Sequence, residues 1–132
     1  MTSNQERRSV ILVVEDVEET RNGMKGLLVA SGYRVSTAGD EEESLLKVGL
    51  QRPDLILISL GLSPTRVVAT ARRIRERAGL GEDIPVVVFC PPSLDEGAEV
   101  RVGYNVYMTN PDNFDQLRAL LSRLLRKLPR GC

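Results

Sequence analysis

The sequence predicts an α/β domain built on a doubly wound, five-stranded parallel sheet in the order 2-1-3-4-5, with helices on both faces. Segments of strand texture and helix texture alternate along the whole chain, which is the pattern of strand-helix-strand units. The stretches Val10–Val14, Leu55–Ile58 and Ile84–Phe89 are unbroken apolar runs, as strands covered on both faces are. Tyr33–Ala38 and Tyr104–Met108 instead alternate polar and apolar residues, as strands with one wetter face do. Placing the apolar strands at the centre and the alternating ones at the edges gives the order 2-1-3-4-5.

The helices follow from period and punctuation. Met24, Leu27 and Leu28 recur at helical spacing up to Ser31-Gly32, behind an acidic turn in which Asp16 and Glu19 have the spacing of a capping pair. Asp40 and Glu43 repeat that spacing ahead of a helix with the stripe Leu45, Leu46, Gly49 and Leu50, which Arg52-Pro53 stops. Val67, Val68, Ala71, Ile74 and Ala78 make a third helix, with Arg72, Arg73, Arg75 and Arg77 on its outside. Pro91-Pro92 and Ser93 introduce a short helix to Arg101, and the leucines from Leu117 to Leu128 make the last helix, which packs against the first and ends at Pro129.

Composition narrows the function. A chain of 132 residues with 42% hydrophobic content makes one domain with a real core, read as a flexible N-terminus at 1–8, the domain at 9–128 and a tail at 129–132. Basic and acidic residues balance at 18 each, so no overall field favours nucleic acid or an anionic membrane. No apolar run approaches the length of a membrane span and no secretory segment opens the chain, so a cytoplasmic location is expected. Cys90 and Cys132, with no histidine in the chain, suggest neither a disulfide framework nor zinc.

Ligand crevices of such sheets lie beyond the carboxyl ends of the strands, so Ser59 after Ile58, and Glu15 and Asp16 after Val14, stand where chemistry would occur. The chain carries the motifs Ile11-Leu12-Val13-Val14-Glu15-Asp16, Ser31-Gly32-Tyr33-Arg34-Val35, Arg52-Pro53-Asp54-Leu55-Ile56-Leu57, Asp83-Ile84-Pro85-Val86-Val87-Val88, and Gly103 to Pro111 running into Phe114-Asp115-Gln116-Leu117. Together they give it, over about residues 9 to 128, a resemblance to the receiver domains of two-component response regulators, which have the flavodoxin-like fold. The resemblance implies a module that takes a phosphoryl group from a histidine kinase onto an aspartate at the end of the third strand, with magnesium held by an acidic pair.

Carried over residue by residue, the resemblance places Glu15 and Asp16 at the acidic pair, Ser59 at the phosphoacceptor, Cys90 at the hydroxyl switch position, Tyr107 at the aromatic switch and Asn110 at the lysine before the proline. It implies a cis bond before Pro111. The loop proline and glycine fall on Ser63 and Val67, and the segment from Cys90 to Gly103 is slightly short, which trims the fourth helix.

Each change removes a physical requirement. A carboxylate is anionic at neutral pH and needs no base to attack phosphorus, whereas the Ser59 hydroxyl needs one. Magnesium prefers an octahedral oxygen shell, and a hydroxyl in place of a carboxylate weakens it, so the expectation is no cofactor and no metal, with Asp16 the residual candidate ligand. Asn110 brings no positive charge to a phosphoryl oxygen, and Cys90 is a poor donor. Glu15 and Asp16 admit two readings, a residual metal site or residues that cap and complement the first helix, Asp16 being the better placed for the cap.

The expected function is therefore a receiver-like signalling module, not an enzyme, that has lost aspartate phosphorylation and acts by binding protein partners, a histidine kinase or another signalling protein among them. A homodimer through the widened leucine stripe of the last helix is admitted, and neither nucleic acid nor membrane is expected. The alternatives are a receiver still switched by a small molecule or an unusual phosphorylation in the residual pocket, and a flavodoxin-like ligand-binding protein or enzyme on the same architecture. The acidic run Glu15-Asp16-Val17-Glu18-Glu19 opposes the last, because an anion would have to sit there.

Overall fold

A computed structural model describes residues 8–89 and 94–126. Its elements run β1 (Val10–Glu15), α1 (Glu18–Ala30), β2 (Arg34–Ala38), α2 (Glu41–Leu50), β3 (Leu55–Ser59), α3 (Pro64–Arg77), β4 (Val86–Phe89), β5 (Glu99–Gly103), β6 (Val106–Thr109) and α4 (Phe114–Arg126). The fold class is the expected one, a doubly wound sheet of flavodoxin-like topology. Strands β2, β1, β3, β4 and β6 pair in parallel in that order.

Alternation along the central strands divides the core into two layers. Leu12, Val14, Ile56, Ile58, Val86 and Val88 face α3, against Val67, Ala71 and Ile74. Ile11, Val13, Leu55, Leu57 and Val87 face the other way, against Leu28 of α1 and Leu117, Leu121 and Leu124 of α4, so the first and last helices share one layer as expected. Each of the buried Val, Leu and Ile side chains among these contributes roughly 1.5–3 kcal/mol of transfer free energy.

The sheet departs from expectation at one edge. It has six strands, because β5 adds antiparallel to β6, so the last parallel strand is flanked on both sides and is not an edge. The expected short helix to Arg101 is replaced by β5 over its last three residues, Glu99 to Arg101. Glu99-Val100-Arg101-Val102 alternates charged and β-branched residues, a strand pattern, and Gly97 (φ 85°) ends the preceding turn in a conformation a helix cannot hold. The hairpin closes at Tyr104-Asn105, where Asn105 takes φ 59° and its Nδ2 donates to the carbonyls of Glu82 and Asp83 at 3.1 Å.

Caps and helix faces sort in the same way. Asp40 caps α2 by accepting from the Glu43 N–H, and Glu43 reaches back to the Gly39 N–H, both at 2.8 Å. At α1 the expected Asp16 cap is absent; Val17 is the cap residue, without a side-chain bond. The predicted stripe of α2 is out of phase: Leu46 and Leu50 are 70% and 81% exposed, while Ser44 is buried and Val48 packs on the core. Ser44 donates its hydroxyl to the Asp40 carbonyl, and Glu41 and Glu42 pair with Arg73 and Arg77 of α3. Arg75, expected outside, is buried and donates to the Ile84 carbonyl at 3.1 Å. No peptide bond among the described residues is cis, so the bond before Pro111 is trans, contrary to expectation. Cys90, Cys132, Pro91 to Ser93 and the helix end at Leu128-Pro129 lie outside the described residues.

Candidate functional site

The crevice is defined by the carboxyl ends of β1, β3 and β6. Glu15 ends β1 opposite Ser59, the last residue of β3, in parallel register. It is buried, and its Oε2 accepts from the Val17 N–H at 2.9 Å. Its backbone carbonyl accepts from Arg21 Nη1 at 2.8 Å, and that same nitrogen lies 3.1 Å from where a side chain on Gly39 would begin. Arg21 thus bonds the end of β1 and lies beside Gly39, just after β2. Asp16 is exposed, its Oδ2 directed towards Gly61 in the loop after β3.

The expectation that Asp16 is the acid bonded to the backbone is reversed: Glu15 accepts from the Val17 N–H, and Asp16 is exposed. The extra methylene of glutamate lets a carboxylate on the last strand residue curl forward to the amide two positions on.

Ser59 is half-buried and followed by a tight turn in which the Leu62 N–H donates to the Leu60 carbonyl at 2.8 Å. Helix α3 starts at once, with Ser63 accepting from the Arg66 N–H at 3.3 Å and Pro64 in the first turn. Ser63 is therefore a helix cap, which leaves a short loop between β3 and α3.

The far wall is tied to the hairpin. Asn110 donates its N–H to Ala98 and its Nδ2 to Leu94, each at 3.0 Å, and its carbonyl accepts from the Gly97 N–H at 2.7 Å. Thr109 Oγ1 donates to the Ala98 carbonyl as well, and Gln116 Nε2 to that of Gly97. Asn110 thus holds the turn from Leu94 to Ala98 by three bonds. Tyr107 is half-buried and its hydroxyl donates to Asn105 Oδ1 at 3.1 Å, towards the amino end of β6 and away from the crevice.

The structure thus brings Glu15, Asp16, Ser59 and Asn110 to one end of the sheet, and turns Tyr107 from it. Reasoning from sequence missed Arg21, Thr109 and Gln116. Gln116 was findable from the Asn113-x-x-Gln116 spacing of a capping box: Asn113 Oδ1 accepts from the Gln116 N–H, and the Gln116 side chain reaches back to accept from Asp112, one residue before the cap.

The response regulator receiver domain matches this chain over residues 11–122. The chain belongs to that family. Among curated relatives, the transcriptional regulatory protein KdpE of Staphylococcus aureus is 30% identical over 94% of this chain and 52% of its own length. The alkaline phosphatase synthesis transcriptional regulatory protein PhoP of Bacillus subtilis is 30% identical over 89% and 48%. The receiver thus spans about half the length of the curated relatives it matches. Among solved structures, the receiver domain of sensor histidine kinase PA1611 from Pseudomonas aeruginosa, with magnesium coordinated in its active site cleft, superposes with a TM-score of 0.67 at 24% identity, covering 91% of this chain and 99% of that one. The chemotaxis protein CheY4 of Vibrio cholerae gives the same TM-score at 21% identity, covering 89% and 98%. These two carry the fold alone.

Against that family, the donor set of this receiver does not suit magnesium. One carboxylate of the acidic pair is occupied by its own backbone, the other is exposed, and the position across from them is a hydroxyl. Among the described residues no three carboxylate, histidine or cysteine side chains converge.

Proposed function

We propose that this response regulator receiver domain signals by binding a protein partner, a histidine kinase or another signalling protein, without phosphoryl transfer. The observation that carries the reading is the pairing of Ser59 with Glu15 at the ends of β3 and β1, with the Glu15 carboxylate bonded to Val17. Phosphoryl transfer to a receiver needs a nucleophile that is already anionic, a cation to neutralise the incoming oxygens and a metal to hold them. Ser59 supplies a neutral hydroxyl with no base bonded to it among the described residues, and Asn110 supplies an amide already committed to Leu94.

The aromatic position supports the same reading. Tyr107 is bonded to Asn105, so its ring has a fixed partner at the opposite end of the strand from the acceptor position. What remains is a stable α/β scaffold that presents its helices and its sheet edge to a cytoplasmic partner. The reading makes this domain a binding module and not an enzyme.

Intact-mass spectrometry after incubation with acetyl phosphate and magnesium tests it, beside a receiver that carries the acceptor aspartate. The expected result is no mass gain on this chain. A labile phosphoryl adduct on any carboxylate would overturn the proposal.

A further inference from the structure

Strand β5 is the outer strand of the sheet; it pairs with β6 on one side, and among the described residues nothing pairs with its other side. The β6 pairing decides which backbone groups face outward. Asn110 donates its N–H to the Ala98 carbonyl, and inward and outward residues alternate along an antiparallel strand. Val100, opposite Met108, therefore also turns its backbone groups inward, and the N–H and C=O of Glu99 and Arg101 point away from the sheet. Such an edge is a template for another strand.

The side chains on this edge alternate too. Val100 stands opposite Met108, which packs on the core layer that faces α3, so Val100, which is 44% exposed, shares that face; the strand is irregular only beyond Arg101. Glu99 and Arg101 share the opposite face, where Glu99 pairs with Arg123 of α4, and Arg101 Nε donates to the Gly103 carbonyl at 3.2 Å.

We infer that this edge pairs with the same edge of a second copy of the chain, antiparallel, about a twofold axis at Val100. The order of charges selects that occupant. A twofold axis normal to the sheet keeps each face on its own side and sets position 99 of one copy opposite position 101 of the other. Glu99 then faces Arg101 of the second copy on both sides of the axis, so the triplet Glu99-Val100-Arg101 is complementary to itself. Val100 meets its own symmetry mate, which covers an exposed β-branched side chain. The outward N–H and C=O groups of Glu99 and Arg101 are the ones such a pairing uses, and an edge that pairs with itself closes at two copies. The present contacts of Glu99 and Arg101 are exposed, so exchanging or sharing them costs little.

Sedimentation equilibrium on the 132-residue chain tests the inference. A reversible dimer is expected, weakening as salt rises. Glu99→Arg and Arg101→Glu each set like charges opposite one another on both sides of the axis, and each is expected to weaken association by about tenfold or more. The double exchange, Glu99→Arg with Arg101→Glu, restores complementarity and is expected to recover wild-type association. Residue 99 then faces Arg123 with like charge, so recovery cannot come from the bridge within one chain. Circular dichroism checks that each variant keeps the fold, and the salt series on the unaltered chain stands without any variant. A chain that stays monomeric at every concentration overturns the inference. So does a dimer that the single variants leave unchanged, or a double variant no better than the singles.

Discussion

Glu15 and Ser59 stand opposite each other at the ends of β1 and β3, and the Glu15 carboxylate turns from that pairing to accept from the Val17 N–H at 2.9 Å. An acid that would face an incoming ligand instead closes the entry to α1. Glu15→Ala removes this bond and is expected to lower unfolding free energy by about 1 kcal/mol, as loss of a side-chain bond to a helix-entry amide does. Asp16→Ala, at an exposed carboxylate, is expected to stay within about 0.5 kcal/mol. Urea unfolding of the two variants checks the order; equal losses would return the capping role to Asp16.

Magnesium response follows from the same geometry. Calorimetric titration of the unaltered chain is expected to show no micromolar binding. Ser59→Asp places a third carboxylate beside Glu15 and Asp16, where like charges repel. That variant is expected to melt lower than wild type in chelator, with magnesium recovering part of the loss and leaving the wild-type Tm unmoved. A magnesium-dependent Tm in the unaltered chain would contradict the reading of the donor set.

Asn110 acts in the far wall as a clamp on the turn from Leu94 to Ala98. Asn110→Ala deletes its side-chain bond to the Leu94 carbonyl, and the expected loss is about 0.5–1.5 kcal/mol, the net worth of one such bond. Hydrogen exchange should quicken at Gly97 while the amides of β1 keep their protection. Unchanged exchange at Gly97 would show that the backbone bonds alone hold the turn.

Glu41 gives a pH signature. Its bonds to the Arg73 guanidinium, with those to Arg77 beside them, hold its carboxyl at about 2, below the ordinary value of 4.5, against a smaller opposing effect of burial. A carboxyl held low in the folded state adds stability that is present above pH 4.5 and is lost as pH falls towards 2. Glu41→Gln should therefore melt lower than wild type at neutral pH, and the two melting curves should converge as pH drops through that window. The gap should also shrink in high salt, because both arginines are largely exposed. A gap independent of pH would assign the effect to packing.

The parallel sheet and the layer shared by α1 and α4 were legible because they depend on local pattern. Unbroken runs such as Val10–Val14 and Leu55–Ile58 have one satisfactory place, between two helical layers, and the leucines of α4 have one apolar face to offer. The positions of Glu15, Asp16, Ser59 and Asn110 at one end of the sheet were legible for the same reason, since strand ends follow from strand runs. The Asp40 cap was equally local, its bond spanning three residues.

What the sequence by itself determined is thus the five parallel strands, their order in the sheet and the end at which the acids and Ser59 gather. Tertiary structure alone decided how those groups are used. Glu15 against Asp16 as the bonded acid depends on the path from β1 into α1, which adjacent residue types leave open. The phase of α2 depends on how it meets residues far along the chain: Ser44 and Val48 turn inward, Glu41 and Glu42 meet Arg73 and Arg77 of α3, and Leu46 and Leu50 are left in water. The choice of strand over helix at Glu99–Gly103 depends on β6 offering its unpaired side to a short alternating segment. A strand is completed by its neighbour's hydrogen bonds, whereas a helix completes its own, so the sixth strand is a property of the assembled sheet.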